Sequence, residues 1–212
     1  MNKTPEAIRG IAAFDLDGTL LRGATVCEVL AKRLGRLEEM KRFETFTAES
    51  DIADGRVQMV EWYRGRSVGD LEAHLDDVSW APGAHEAIRQ LHEAGIVVGI
   101  ASITWRFAVR WFAERLGIRY FLGTDLDQNG EILHVWGRDK ARWLQDLADS
   151  HGISSDRIAA VGDSAGDSEM LRVAGLRFFV GSKLVPETEP AIHLPGTDLR
   201  IVARRIIGEW AG

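Results

Sequence analysis

Hydrophobic and polar positions follow two rhythms along this chain. Short apolar runs recur at 11–14 (IAAF), 96–101 (IVVGIA), 157–162 (RIAAVG) and 176–181 (LRFFVG), most of them beside glycine or a charged residue. Runs of this kind predict strands buried on both faces. A fifth strand candidate is YFLGT, and the LDQNGEIL after it contains Asn-Gly, a strong hairpin signal. Between the runs, apolar residues recur three or four apart, the helix period. Such segments are GAHEAIRQLHEAG, 105–117, 139–152, 165–175 and 197–210. Gly95 and Gly117 supply stops, and Thr197 or Asp198 a cap for the last helix.

Residues 24–80 keep the helix rhythm throughout, in VCEVLAKRL, LEEMKRFETF, RVQMVEWYRG and VGDLEAHL, until WAPG (80–83) closes the block. Strands alternating with helices predict an α/β fold, a doubly wound Rossmann-like parallel sheet covered on both faces. The expected core is 1–19 and 83–212, with 20–82 as an all-helical cap inserted after the first strand. Ligands in such folds bind beyond the carboxyl ends of the strands, so the polar residues there carry the interest.

The first strand ends in Asp15-Leu16-Asp17, the second in Ser102-Ile103-Thr104, and RIAAVG runs into GDSAGDSEM with Asp163 and Asp167. Lys140 opens a helix. A parallel sheet brings Asp15, Asp17, Ser102 and Asp163 to one edge, with Lys140 and Asp167 in reach from helix starts. Clustered carboxylates repel and raise one another's pKa unless a cation intervenes. Hard oxygen ligands select Mg²⁺, which also accepts phosphate oxygens. A serine hydroxyl and a lysine complement that arrangement around a phosphate. Each residue also has a plainer reading. The aspartates could cap turns, Ser102 could cap the 105–116 helix, and Lys140 could be a solvated helix lysine.

Composition changes the picture little. The 212 residues carry a net charge of −6, with 45% hydrophobic and 27% charged residues. No global positive field draws the chain to nucleic acid or an anionic membrane. The N-terminal MNKTPEAIRGIAAF lacks the apolar region of a signal peptide, and no run reaches the ~20 apolar residues of a membrane span. The single cysteine, Cys27, suits a reducing compartment, so a cytoplasmic location is expected. Cys27 has no evident histidine partner and reads as a packed side chain. The six histidines form no H-x-x-x-H pair for zinc. Trp111 and Phe112 read as core, whereas Trp105, just after Ser102, is a candidate for lining a pocket.

FDLDGTL, Ser102, Lys140 and GDSAGD in that order resemble the four motifs of the haloacid dehalogenase-like phosphatases, and the helical insertion after the first motif is most similar to the phosphoserine-phosphatase branch. The resemblance implies that Asp15 is the nucleophile, forming an aspartyl-phosphate, and that Asp17 is the acid and then the base. It implies Mg²⁺ held by Asp15, the backbone carbonyl of Asp17, and Asp163. Asp167 would orient a metal-bound water or Lys140, and Ser102 and Lys140 would bind the phosphoryl oxygens. The second aspartate favours phosphoester chemistry, because an alkoxide leaving group needs a proton. The expected substrate is a small-molecule phosphate ester. A phosphotransferase or mutase using the same intermediate, or a non-catalytic binding protein, are the alternatives.

The chain departs from the phosphoserine pattern in the cap. The acidic position after the first motif falls at Ala24, with Glu28 one turn on. The arginine position falls near WYRGRS, at Arg66 or Arg64. Ile103-Thr104 stand where two glycines are usual, and Gly166 where an asparagine is usual. A substrate ammonium would lack its carboxylate partner, so phosphoserine is expected to be a poor substrate.

Overall fold

The computed structural model describes residues 8–188 and 190–211. Residues 1–7, part of the expected core and of the stretch read for a signal peptide, lie outside the described residues, as do Glu189 and Gly212. Among the described residues, the strands that carry the site are β1 (Gly10–Phe14), β4 (Ile96–Trp105), β5 (Tyr120–Leu126) and β7 (Ile158–Gly162). With β6 (Ile132–Leu133), β8 (Leu176–Phe179) and β9 (Ile192–His193) they form a seven-stranded sheet ordered β6-β5-β4-β1-β7-β8-β9. Every pairing is parallel except that of β5 with β6, the hairpin around Asn129-Gly130. The chain builds outward from β1 through β4 to β6 on one side and through β7 to β9 on the other. The strand order therefore reverses at β1, which opens a crevice beyond its carboxyl end.

Successive residues of β1 point to opposite faces. Ala12 and Phe14 join Val98, Ile100, Val161 and Phe178 under helices α5 (Ala84–Glu93), α6 (Arg106–Arg115) and α9 (Leu199–Glu209). Ile11 and Ala13 face the other way, with Ala160 and Phe179, under α7 (Gly137–His151) and α8 (Ser168–Val173). Burial on both faces is why these strands read as unbroken apolar runs. Trp111 and Phe112 are core residues, and Asp198 caps α9 by accepting the Arg200 N–H at 2.9 Å. The second strand runs four residues beyond its apolar stretch. Its register against β5 shifts between Ala101 and Trp105, a bulge that re-aims the side chains of the Ser102 segment.

The helices α1 (Val26–Arg33), α2 (Leu37–Phe43), α3 (Glu49–Tyr63) and α4 (Val68–Glu72) follow β1. They leave and return through a two-stranded antiparallel ribbon, β2 (Leu21–Arg22) with β3 (Ser79–Trp80). Strands of two residues carry no readable period, so this ribbon was not anticipated from the sequence. Thr25 caps α1 through a capping box with Glu28. Gly55, in mid-helix, lets Phe43 and Phe46 approach α3, where a Cβ would stand 3.4 Å from the Phe43 ring. Two apolar clusters run through this block. Leu20, Val26, Leu30, Leu71 and Leu75 join the main core beside Ile88 and Phe112. Met40, Phe43 and Met59 pack with Trp105 of β4. Among the described residues no helix is long and apolar enough to cross a membrane.

Because Leu75 is buried in a cluster shared by the helical block and the sheet, Leu75→Ala is expected to lower the stability of the whole chain by about 2–5 kcal/mol. Urea unfolding followed by circular dichroism and tryptophan fluorescence should show one transition shifted as a unit. Two transitions, only one of them shifted, would contradict a shared core.

Candidate active site

Asp15 follows β1 directly, and its N–H donates to the Val161 carbonyl of β7 at 2.9 Å, which continues the strand for one more residue. A wide turn then closes from the Leu21 N–H to the Leu16 carbonyl, with Gly18 at φ 79°. A side chain at Gly18 would be strained at that φ, and its Cβ would overlap the Asp163 carboxylate. The glycine of FDLDGTL is thus required for two separate reasons. Thr19 Oγ1 donates to Asp163 Oδ1 at 3.2 Å and ties the turn to the loop after β7.

Beneath this turn lies Lys140, one turn into α7 and 2% exposed. Its Nζ donates to Asp15 Oδ1 at 2.6 Å and to Asp167 Oδ1 at 2.8 Å. Burial alone would lower the lysine pKa, but the two carboxylates outweigh it and hold the ammonium above its ordinary range. Asp167 is fully buried. Its Oδ2 accepts from the Asp163 and Ser164 N–H groups at 3.0 and 3.1 Å, and from Ser164 Oγ. With both oxygens engaged, Asp167 positions the lysine and the loop that carries Asp163.

Asp15, Asp163 and Asp167 each offer an oxygen within 4.8 Å of the other two. Burial, and then the Asp167 and Asp163 charges, push Asp15 well above the ordinary carboxylate range against the pull of Lys140. Burial and Asp167 push Asp163 up to about 6. One lysine does not neutralise three carboxylates. Such an all-oxygen set with surplus negative charge fits a hard divalent cation. Because the oxygens of Asp167 are taken, Asp15 and Asp163 are the carboxylates left to ligate it.

Asp17 stands apart from that cluster. Its Oδ1 accepts the Val26 N–H at the start of α1 at 2.8 Å, and its Oδ2 accepts from Thr104 Oγ1 at 3.0 Å. Shielding from water raises its pKa, while those two hydrogen bonds oppose the rise. A raised carboxyl pKa is the direction a general acid needs. Ser102 is 2% exposed, and its Oγ accepts the Thr104 N–H at 3.2 Å, which leaves the hydroxyl hydrogen for a ligand. Thr104, one of the departures from the glycine pattern, therefore braces both Ser102 and Asp17.

Asp15, Asp17, Ser102, Lys140 and Asp163 line one cavity of about 410 Å³. The helical block supplies its other wall through Thr25, Met40, Phe43, Glu44, Phe46, and the Ile52, Gly55, Arg56 and Met59 stripe of α3. Trp105 lines it as expected of a pocket residue. Cys27 reaches it too, with Sγ 3.7 Å from Thr104 Oγ1. Burial and the charges of Asp17 and Glu44 push the thiol up to about 12, so it is no nucleophile near neutral pH.

The structure places the two expected cap arginines away from this cavity. Arg64 pairs with Glu61 at 2.5 Å on the surface, and Arg66 lines a separate pocket with Arg36 and Trp62. Both follow the carboxyl end of α3, whereas the cavity faces its middle. The arginine in the cavity wall is Arg56, which sequence reasoning missed. The signal was present: Ile52, Arg56, Met59 and Tyr63 fall at helix spacing, so Arg56 is the charged member of an otherwise apolar stripe. Arg56 is 3% exposed. Its Nη2 donates to the Ile103 and Val135 carbonyls at 2.9 and 3.1 Å, and its Nη1 to His134 Nδ1 at 2.9 Å. The guanidinium carbon lies 4.6 Å from the centre of the Trp136 ring. Ala24 is exposed, and Glu28 is held in the α1 capping box. Neither lines the cavity.

Residues 12–172 match the family model described as haloacid dehalogenase-like hydrolase. A phosphoserine phosphatase of Archaeoglobus fulgidus is 30% identical over 184 residues, covering 82% of this chain and 53% of that one, so this chain spans about half that relative's length. A phosphoserine phosphatase of Methanocaldococcus jannaschii is 27% identical over 212 residues, covering 95% of this chain and 99% of that one. A solved structure titled as a phospho-aspartyl intermediate analogue of phosphoserine phosphatase superposes with a TM-score of 0.76 at 25% identity, covering 92% of this chain and 98% of that one. The family match runs from the strand before Asp15 into the helix after Asp167, and on that extent the chain belongs to the haloacid dehalogenase-like hydrolases.

Proposed function

We propose that the protein is a Mg²⁺-dependent phosphatase that hydrolyses a small-molecule phosphomonoester through an aspartyl-phosphate on Asp15. The observation that carries this reading is the Lys140 ammonium, 2.6 Å from Asp15 Oδ1 on the floor of a cavity that Asp17, Ser102 and Asp163 also line. The relatives named phosphoserine phosphatase support the reaction class.

The lysine contacts Oδ1 of Asp15, which keeps a second lone pair for a cation, and the other oxygen is left for attack on phosphorus. As the Asp15 O–P bond forms, the bond from phosphorus to the ester oxygen breaks, and Asp17 delivers its proton to that oxygen. Asp17 is then a carboxylate, oriented by Val26 N–H and Thr104, and takes a proton from the water that attacks the phosphoryl-aspartate. Inorganic phosphate leaves and Asp15 is regenerated. Ser102 and Lys140 donate to the phosphoryl oxygens as charge spreads over them. Asp15, Asp163 and the Asp17 carbonyl would hold Mg²⁺, which supplies positive charge to the carboxylates and to the phosphoryl group.

Chelation with EDTA should abolish phosphate release from a phosphomonoester panel, and added Mg²⁺ should restore it. Asp15→Asn should lower release by at least ~10⁴-fold with the fold intact by circular dichroism. Release that persists in that variant, or without metal, would overturn the reading. Asp17→Asn should lower kcat/KM, which reports the steps up to release of the alcohol, by ~10²–10⁴-fold on alkyl esters and much less on nitrophenyl phosphate, whose leaving group needs no proton. An equal loss on both would remove Asp17 as the acid.

Lys140→Met leaves Asp15 and Asp167 buried without a counter-charge, and should destabilise the chain by about 3–5 kcal/mol in urea unfolding as well as abolish turnover. Unchanged stability would mean that the pair is not formed in solution.

A further inference from the structure

We propose that the alcohol released by this enzyme has an apolar body, aromatic or branched aliphatic, and carries no carboxylate. The proposal rests on the phosphatase reading of the cavity and concerns what stands on the far side of the ester oxygen.

Away from the acidic floor, the cavity wall is made mainly of Met40, Phe43, Phe46, Met59, Ile103 and Trp105. Ile103 is 40% exposed and stands immediately beside Ser102, so it sets the chemistry next to the phosphate position. Apolar surface of this kind gains by shedding water against an apolar ligand. A cavity of about 410 Å³ also exceeds what a phosphate on a two- or three-carbon alcohol fills.

The charged groups in the wall point the same way. A carboxylate is gripped by an arginine through two N–H groups, and each such fork of the guanidinium uses Nη2. Both Nη2 hydrogens of Arg56 already go to the Ile103 and Val135 carbonyls, and its Nη1 meets His134. Arg56 therefore binds the helical block to the sheet, and its forks are closed to a ligand. Arg64 and Arg66 lie outside the cavity. The remaining charged group of the helical wall is Glu44, whose Oε1 accepts from Thr25 Oγ1 at 2.8 Å. A substrate carboxylate would lose its water against apolar side chains, meet in Arg56 a guanidinium whose forks are already closed, and be repelled by Glu44.

Three primary alkyl esters test this: ethyl phosphate, 2-phenylethyl phosphate and phosphoserine, compared by kcat/KM with Mg²⁺ present. The phenylethyl ester is expected to exceed the ethyl ester by at least ~10-fold, the worth of burying one ring. Phosphoserine is expected at or below the ethyl ester. Phe46→Ala should narrow the gap between the first two several-fold. Equal values for the ethyl and phenylethyl esters, or phosphoserine ahead of both, would overturn the proposal and leave the phosphatase reading standing. If no ester is hydrolysed, the phosphatase reading fails by itself. Calorimetric titration with ethylphosphonate, 2-phenylethylphosphonate and the phosphonate analogue of phosphoserine then decides the part of the proposal that stands without turnover, the preference of the cavity for an apolar body over a carboxylate. Tightest binding by the phenylethyl compound supports it, and any other order overturns it.

Discussion

The site is built around an ammonium buried between two carboxylates. Lys140 comes from one helix, Asp15 from the central strand, and Asp167 from the loop after its neighbour. Burying any one of these charges alone would be costly, and together they are tolerable because each has a partner at hydrogen-bond distance. Asp167 adds to this by accepting three further donors from Asp163 and Ser164, so the lysine's position and the loop's shape are set by one carboxylate. Close packing of backbone completes the frame. A Cβ at Gly18 would overlap Asp163, and one at Gly162 would stand 2.5 Å from Asp167. The surplus negative charge that remains, on Asp15 and Asp163, is what makes the floor a place for a cation.

A second constraint comes from the helical block. It is joined to the sheet by a shared core around Leu30 and Leu75, by the packing of Met40 and Met59 on Trp105, and by Arg56. The wall of the cavity is therefore held by groups different from those that hold its floor. On the floor the central bonds join the Lys140 ammonium to two carboxylates. In the wall apolar contacts dominate, with Arg56 bonded to two main-chain carbonyls and His134. This division lets a floor suited to phosphoryl chemistry face a wall with different preferences.

Much of this was legible in the sequence, for identifiable reasons. The strands that carry Asp15 and Asp163 are buried on both faces, so their apolar runs are unbroken and their ends sharp. The polar residues just beyond them had to fall on one edge once the sheet was parallel. The ribbon of Leu21–Arg22 with Ser79–Trp80 was not legible, because two-residue strands have no period. Neither was the bulge in β4, which depends on pairing with β5. The cap arginine expected from the family resemblance, Arg66 or Arg64, lies outside the cavity, and Arg56 lines it instead. The orientation of α3 decides which arginine meets the cavity, and that orientation is set by the Gly55, Phe43 and Phe46 packing.

One atom in the wall has an inheritance of its own. Arg56 is anchored on the carbonyl oxygen of Ile103, while the side chain of the same residue lines the cavity beside Ser102. Every amino acid has that carbonyl, so mutation at position 103 exchanges the surface offered to a ligand and keeps the acceptor for Arg56. Position 103 can drift among glycine, valine, leucine or isoleucine, retuning what the cavity admits while the helical block stays docked.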